Sequence, residues 1–330
     1  MNELRNLVNG YQASQAISVA ATLGVADLLA AGPRASDDLA RETGADADAL
    51  YRLLRALAAV GVLHEEDGRR FALTELGEPL RSDVPGSLAG WAEFIGRPSV
   101  WQSWGALLHS VRTGENAFRH VHGADVWSWR VDRPDESAVF DRAMASLTGG
   151  VNRALLDAYD FGRFGTVVDV GGGNGALLAS LLRAFTGMRG ILFDQPHVTA
   201  LAHEVLGEAG VADRCQVVSG SFFEGVPEGG DAYVLKAIVH DWEDPEAVAL
   251  MQACRRAASD DAVLLLIERD LGGPNEAAAA KLSDLNMLVN PGGRERSVEE
   301  YAALLDAAGF RLLTATPTAS GLSVLEAAPA

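Results

Sequence analysis

Along ALYRLLRALAAVGVL, residues 49–63, Leu50, Leu53, Leu54 and Leu57 recur at three- and four-residue intervals, the spacing of one face of an α-helix. Gly61 follows where a C-terminal cap is needed. Upstream, SDDLARETG reads as a short helix with Ser36 as its N-cap. Downstream, VLHEEDGRRFALT reads as a hairpin turning at Asp67-Gly68. Two helices followed by a hairpin make a winged-helix pattern. Helical spacing continues to about residue 160, with Trp91, Trp101, Trp104, Trp127 and Trp129 in or near those helices. Each tryptophan suits either plain core or a pocket wall, and core is the simpler reading.

From about residue 161 the pattern alternates between β and α. TVVDV, GILFD, CQVVSG, DAYVLKAIV and AVLLLIE are short apolar, strand-like runs, and helical patterns such as AVALMQACRRAAS lie between them. FRLLTATPT and LSVLEAA close the chain as two more strands. Strands separated by helices predict an α/β fold with a parallel, doubly wound sheet.

The chain has 330 residues, 48% hydrophobic and 22% charged, an ordinary globular composition long enough for a large core. Its formal net charge of −18 opposes binding to nucleic acid or to an anionic membrane surface, since both need clustered Lys and Arg. Arg52 and Arg55 sit among acids and form no basic face, so the winged-helix pattern carries no DNA-binding signal. No apolar run approaches the ~20 residues of a membrane span. Residues 16–26, AISVAATLGVA, resemble the apolar part of a signal peptide, but Glu3, Gln12, Ser14 and Gln15 precede them and amphipathic helix follows. The expectation is a cytoplasmic protein. Cys215 and Cys254 have no spacing motif and read as small buried hydrophobes or free thiols.

The chemistry concentrates in VVDVGGGNGALLASLL, residues 167–182. Gly171, Gly173 and Gly175 fall where a strand meets a helix, and such spacing lets the backbone approach a ligand without Cβ interference. Asp194 closes the next strand, where a carboxylate accepts both hydroxyls of a ribose. A nucleoside ligand follows. GxGxxA, completed by Ala176, also fits a nicotinamide dinucleotide. Asp169, two residues before the first glycine, would repel a pyrophosphate but favour an ammonium or sulfonium, which points to S-adenosylmethionine. A hydrogen-bonded strand-end aspartate is the plainer alternative.

A second constellation begins at LKAIVHDWED. His240 follows an apolar strand whose carboxyl end faces the ligand crevice of a doubly wound sheet. Glu268 ends the next strand on the same edge, and Glu295 lies in the turn-rich NPGGRERS. One histidine flanked by two carboxylates is a general-base arrangement, the acids orienting the imidazole and stabilising its cation. The plainer readings are a capping histidine and a solvated Glu295 paired with Arg294 or Arg296. Asp241, Glu243 and Asp244 suggest a divalent metal or simply an acidic helix start.

VVDVGGGNG, FDQPHV, LKAIVHDWEDPEA and NPGGRERS, in this order, resemble the S-adenosylmethionine-dependent O-methyltransferases of the caffeic acid O-methyltransferase-like family. The nearest branch methylates aromatic natural products such as anthracyclines and naphthoates. The resemblance spans nearly the whole chain. It implies an N-terminal, mainly helical, winged-helix-like dimerisation domain (1–95), connecting helices lining the acceptor pocket (96–160) and a C-terminal Rossmann-like seven-stranded catalytic domain (161–330). It implies a homodimer, a small aromatic substrate, S-adenosylmethionine as cofactor and no metal. By motif position His240 is the base, flanked by Glu268 and Glu295. Gly171, Gly173 and Asp169 lie along the cofactor, Asp194 on its ribose and Phe222 on its adenine; Lys236 faces its other end and Thr148 its methionine carboxylate. Phe140, Met144, Asp241 and Asn290 fall in the acceptor pocket. Apart from the resemblance, Arg97, His109, Arg112, His120 and His122 lie in the middle helices; an arginine such as Arg97 suits an acceptor carboxylate, and surface or core is the plainer reading of all five.

Two positions depart from the family. Ser221 stands where an aspartate usually binds the adenine amino group, so charge-assisted strength is lost there. Ala237 replaces the tryptophan of the plant enzymes, which leaves room for a larger acceptor. Three other readings stay open on sequence: a nicotinamide oxidoreductase, a winged-helix regulator without activity, and a methyltransferase-like enzyme that hydroxylates or decarboxylates its acceptor.

Overall fold

The computed structural model describes residues 2–200 and 202–330, with Asn2, Thr148 and Gly149 given as backbone alone. The chain divides into two compact units, residues 1–105 with 127–149 and residues 106–126 with 150–330. The segment 96–160 is therefore shared between them.

In the first unit, Leu50, Leu54 and Leu57 of the helix Ala47–Ala59 are buried against Leu39, Val25 and Phe71. Each fully buried leucine contributes about 1.5–3 kcal/mol. Asp46 caps that helix by accepting from the Ala49 N–H at 2.9 Å, and Gly61, at φ +84°, turns the chain away. Ser36 is not the cap expected from the sequence: the helix Ser36–Thr43 begins at Ser36, Ala35 holds the cap position, and the Ser36 hydroxyl is buried without a hydrogen bond. The Ser36 N–H is taken by the Arg69 carbonyl, which fixes the residue inside the first turn. β1 (Arg34–Ala35), β2 (Leu63–Glu66) and β3 (Arg70–Leu73) form an antiparallel sheet in the order β1-β3-β2, with Asp67-Gly68 in the hairpin turn. Residues 16–26 are folded protein, with Ala20, Val25 and Ala26 buried. The five tryptophans are partly buried, none of them fully.

The second unit carries a seven-stranded sheet: β4 (Thr166–Val170), β5 (Arg189–Asp194), β6 (Cys215–Ser219), β7 (Ala232–Lys236), β8 (Val263–Arg269), β9 (Phe310–Pro317) and β10 (Leu322–Pro329). Its order is β6-β5-β4-β7-β8-β10-β9. The first five strands are parallel; β10 runs antiparallel to β8 and to β9. The strand order reverses between β4 and β7, and ligands of such sheets bind outside the carboxyl ends at that switch point. Strands β4, β7 and β8 are almost wholly buried, as expected where helices cover both faces. No helix among the described residues is long and apolar enough to cross a membrane.

The strand read as DAYVLKAIV is shorter than its apolar run. β7 stops at Lys236, because Ala237 takes a left-handed conformation at φ +55°. The next two N–H groups then leave the sheet ladder for a side chain, as described below.

Candidate active site

β4 ends in the glycine loop. Gly171, Gly173 and Gly175 have φ of +70°, +62° and +80°, a region that side chains with a Cβ rarely enter. A Cβ at Gly171 would lie 2.6 Å from Ile238, whereas the space beside Gly173 is open. Gly175 starts the helix Ala176–Ala184, whose Leu177, Leu178, Leu181 and Leu182 are buried in the sheet's core.

Asp169 lies one residue before the end of β4 and is 1% exposed. Its Oδ2 has no hydrogen-bond partner. Burial pushes its carboxyl up to about 7, with the Lys236 ammonium pulling the other way and Asp194 adding to the rise. Burial also lowers Lys236, opposed by Asp169 and Glu268. An orphaned, buried carboxylate oxygen, which a Cβ at Gly172 of the same loop would meet at 2.6 Å, fits a cationic ligand group. Asp194, at the end of β5, accepts from the Gly173 N–H at 2.8 Å and the Gln195 N–H at 2.6 Å, so backbone fixes its carboxylate beside the loop. At the end of β6, Phe222 and Phe223 meet the Trp242 indole edge-to-face at 5.9 and 4.8 Å. Ser221 precedes them on the same loop and is partly buried. These residues fit a nucleoside bearing a positive charge.

His240 sits in a single 3₁₀ turn, Val239–Asp241, just beyond β7. Its Nδ1 lies 3.0 Å from Glu268 Oε2 and 3.4 Å from Glu295 Oε2, ion-pair contacts rather than aligned hydrogen bonds. Its Nε2 faces Asp241 Oδ1 at 3.6 Å. Burial would lower the imidazole, but the Glu268 charge, then Asp241 and Glu295, outweigh it and hold His240 well above its ordinary value. Both glutamates are fully buried and fixed. Glu268 Oε1 accepts from the Ile238 and Val239 N–H groups at 3.0 and 2.7 Å. Glu295 Oε1 accepts from the Ser283 hydroxyl at 2.7 Å and lies 3.6 Å from Arg269 Nε. Burial raises the Glu295 carboxyl, yet His240, Ser283 and Arg269 together hold it below its ordinary value. One ligand atom from each of His240, Glu268 and Glu295 lies within 4.8 Å of the others, so the set could also ligate a cation.

Glu295 is therefore no solvated loop acid. The two arginines beside it face elsewhere, Arg294 to Glu243 and Arg296 to Asp244. Asn290, 7% exposed, ends the helix Ala278–Val289; its Nδ2 donates to Asn286, and its Oδ1 is buried without a partner. The other predicted residues lie in the first unit or at its border. Phe140 and Met144 share one face of the helix Pro134–Ala158, four residues apart. Phe140 meets Phe94 and Trp127 edge-to-face, with the Arg130 guanidinium 3.8 Å from its centroid. Thr148 is on the same helix, and its side chain lies outside the described residues. Arg97 is already paired: its Nε donates to Glu136 at 2.9 Å, and its Nη2 binds the same oxygen. Ser283, Arg269, Gly293 and Arg296 support the site; the sequence reading names only Arg296 among them, and only as a surface partner for Glu295. Only the last two had a visible signal, in NPGGRERS.

Residues 104–311 match the O-methyltransferase domain model, and residues 5–83 match the O-methyltransferase dimerisation domain model. The chain belongs to the O-methyltransferase family. It is 43% identical to the phenazine O-methyltransferase PhzM of Lysobacter antibioticus over 326 residues, 99% of this chain and 95% of that one. The crystal structure of LaPhzM superposes with a TM-score of 0.95 at 42% identity, covering 99% of this chain and 98% of the other. The neocarzinostatin O-methyltransferase NcsB1, solved with S-adenosylmethionine and 2-hydroxy-5-methyl naphthoic acid, gives 0.81 at 38% identity, covering 96% of each chain. This O-methyltransferase is thus an enzyme of the S-adenosylmethionine-dependent class, and the nicotinamide and regulator readings fall away.

Proposed function

We propose that the enzyme methylates a phenolic hydroxyl of an aromatic natural product, with His240 as general base. The observation that carries this reading is the imidazole held between two buried glutamates at the switch point of the sheet, on the same edge as the glycine loop. S-adenosylmethionine, when bound, supplies an electrophilic methyl group. Asp169, Gly171, Gly173, Asp194, Ser221, Phe222 and Lys236 hold it, with Thr148 at its carboxylate.

A free phenol titrates near ~10 and a free imidazole near ~6.5, so full proton transfer between them costs about 5 kcal/mol. The Glu268 and Glu295 charges close much of that gap. Nδ1 faces the glutamates, which leaves Nε2 to take the proton from the acceptor hydroxyl. The site binds its positive charge as a proton on the imidazole, so the reaction needs no metal in this reading. Positioning of the acceptor oxygen supplies ~7–11 kcal/mol at best, more than the ~10²–10⁴ in rate that proton removal supplies.

The relatives named for a phenazine and bound to a naphthoic acid support an acceptor with fused aromatic rings. Contacts from Phe140, Met144, Asp241 and Asn290 belong to the same proposal; Arg97 would have to leave Glu136 to take part. Residues 1–95 are assigned to dimerisation, 96–160 to the acceptor pocket and 161–330 to cofactor binding. Leu4, Leu7, Val8 and Tyr11 of the first two helices are exposed, and a second copy of the chain is assigned to cover them. The acidic surface supports a cytoplasmic enzyme without nucleic-acid partners. Calorimetric titration with S-adenosylhomocysteine and with NADH tests the cofactor, and mass spectrometry of phenolic acceptors tests the reaction. Binding of NADH alone, or hydroxylated or decarboxylated products, would overturn the reading.

A further inference from the structure

The motif NPGGRERS gives the site Glu295, and Arg296 beside it is buried as well. The residue is 1% exposed, and its side chain is among the largest buried ones of the described residues. A guanidinium taken out of water is tolerated only where its donors are matched. Here they are matched by the turn that carries the base. Nη1 donates to the Val239 carbonyl at 3.3 Å and to the Arg294 carbonyl at 3.1 Å. Nη2 donates to the Trp242 carbonyl at 2.9 Å and to Asp244 Oδ1 at 2.7 Å, and Nε donates to that same oxygen at 3.1 Å. Val239 and Trp242 bracket His240 and Asp241, so a single planar group holds both ends of the turn.

The neighbouring backbone adds a second hold. The Arg294 N–H donates to the His240 carbonyl at 2.9 Å. Gly293, at φ +80°, packs directly on the turn: a Cβ there would collide with the His240 carbonyl oxygen and lie 2.5 Å from the Asp241 carbonyl carbon and the Trp242 nitrogen. On its other side, Arg296 pairs as backbone with Asp270, and its carbonyl accepts from the Leu271 N–H at 3.2 Å. That segment directly follows the strand bearing Glu268. Arg296 therefore ties together the pieces of chain that carry His240, Glu268 and Glu295.

Resting on the reading of His240 as the base, we infer that Arg296 is a positioning residue: its buried guanidinium sets the imidazole against the two glutamates without touching cofactor or acceptor. The charges facing His240 are Glu268, Glu295 and Asp241, and none of them is altered by a change at position 296. Lysine at 296 keeps the charge but cannot reach three carbonyls and a carboxylate from one plane.

The test compares wild type, Arg296→Lys and Asp244→Asn. Expected for Arg296→Lys are S-adenosylhomocysteine binding within about threefold of wild type, acceptor KM within about threefold, and kcat lower by about 10²-fold, the scale of an ångström-sized misplacement. Asp244→Asn, which removes only the carboxylate charge, should lower kcat by about tenfold, and it serves if Arg296→Lys does not fold. The decisive readout is the His240 titration, followed by NMR of labelled histidine and assigned with His240→Gln; it should fall by at least about one pH unit in either variant. An unchanged titration with unchanged kcat, or a loss of thermal stability alone, overturns the inference. If wild type methylates no acceptor, the proposed function fails, and the titration still decides the role of Arg296.

Discussion

The Val239 N–H donates to Glu268 at 2.7 Å, one residue before the imidazole that the same carboxylate faces. One oxygen of Glu268 thus fixes the backbone of the turn, and the other stabilises the charge on its side chain. The left-handed Ala237 makes this possible, because it swings the Ile238 and Val239 N–H groups out of the sheet ladder and onto the carboxylate. A non-glycine residue there costs on the order of 1–2 kcal/mol of backbone strain, and two charge-assisted hydrogen bonds offset it.

Glu268→Gln should lower kcat by at least about tenfold, since each unit lost from the imidazole is tenfold in proton affinity. The sign follows from the charge. Glu268 raises His240, so its removal moves the acidic limb of the kcat/KM profile to lower pH. Because folding raises the imidazole, the pair contributes stability in full below pH ~6.5 and loses it as pH rises through the raised value. A pH–rate profile and denaturant melts across the same range check both statements. A limb that stays in place would remove Glu268 from the mechanism.

His240→Ala should retain cofactor binding and lose about two to four decades of kcat. Single-turnover assays beside calorimetry separate the two effects. A variant with full activity would show that the acceptor reaches the site already ionised.

Cofactor affinity should depend on pH through Asp169. Its carboxyl titrates near 7 when the site holds no ligand, so below that pH a cationic ligand must displace a proton. The Kd for S-adenosylmethionine should then rise by up to about tenfold per pH unit below 7 and level off above it. Asp169→Asn should bind more weakly and lose this dependence. Calorimetry from pH 5.5 to 8, roughly centred on that value, is the measurement, and a flat profile in wild type would assign Asp169 a purely structural role.

Activity should survive exhaustive treatment with a chelator. In the proposed mechanism the His–Glu–Glu set that could ligate a cation stabilises the imidazolium formed as His240 takes the acceptor's proton, and two positive charges do not share one pair of carboxylates. Turnover restored only by an added divalent metal would reverse this assignment.

Leu4→Asp with Leu7→Asp should convert a dimer to a monomer, because both side chains are about three-quarters exposed in a single chain. Analytical ultracentrifugation reads the change. A wild-type monomer at micromolar concentration, the scale at which a specific interface is populated, would leave that apolar face with another role.

The alternation of short apolar runs with helices was enough to place five parallel strands, since buried strands need continuous apolar residues. The glycine loop was legible for the same kind of reason: glycine takes φ of +62° to +80° at three alternate positions without the steric cost other residues meet there. The extent of β7 was not. AYVLKAIV is apolar throughout, and nothing in an alanine signals a left-handed turn. The Ser36 cap failed likewise, because the Arg69 carbonyl that claims its N–H lies in a hairpin remote in sequence.

The sequence by itself determined the fold class, the glycine loop and the presence of one histidine and two glutamates at the carboxyl edge of the sheet, because periodicity and residue type are local properties. Tertiary structure alone decided how those groups meet. Glu268 and Glu295 converge on one nitrogen of His240, Arg97 is committed to Glu136, and the arginine that follows Glu295 is buried against the histidine turn. The physical reason is that a side chain's charge is written in the chain, but its partner is chosen by which segments the packed core brings within a few ångströms.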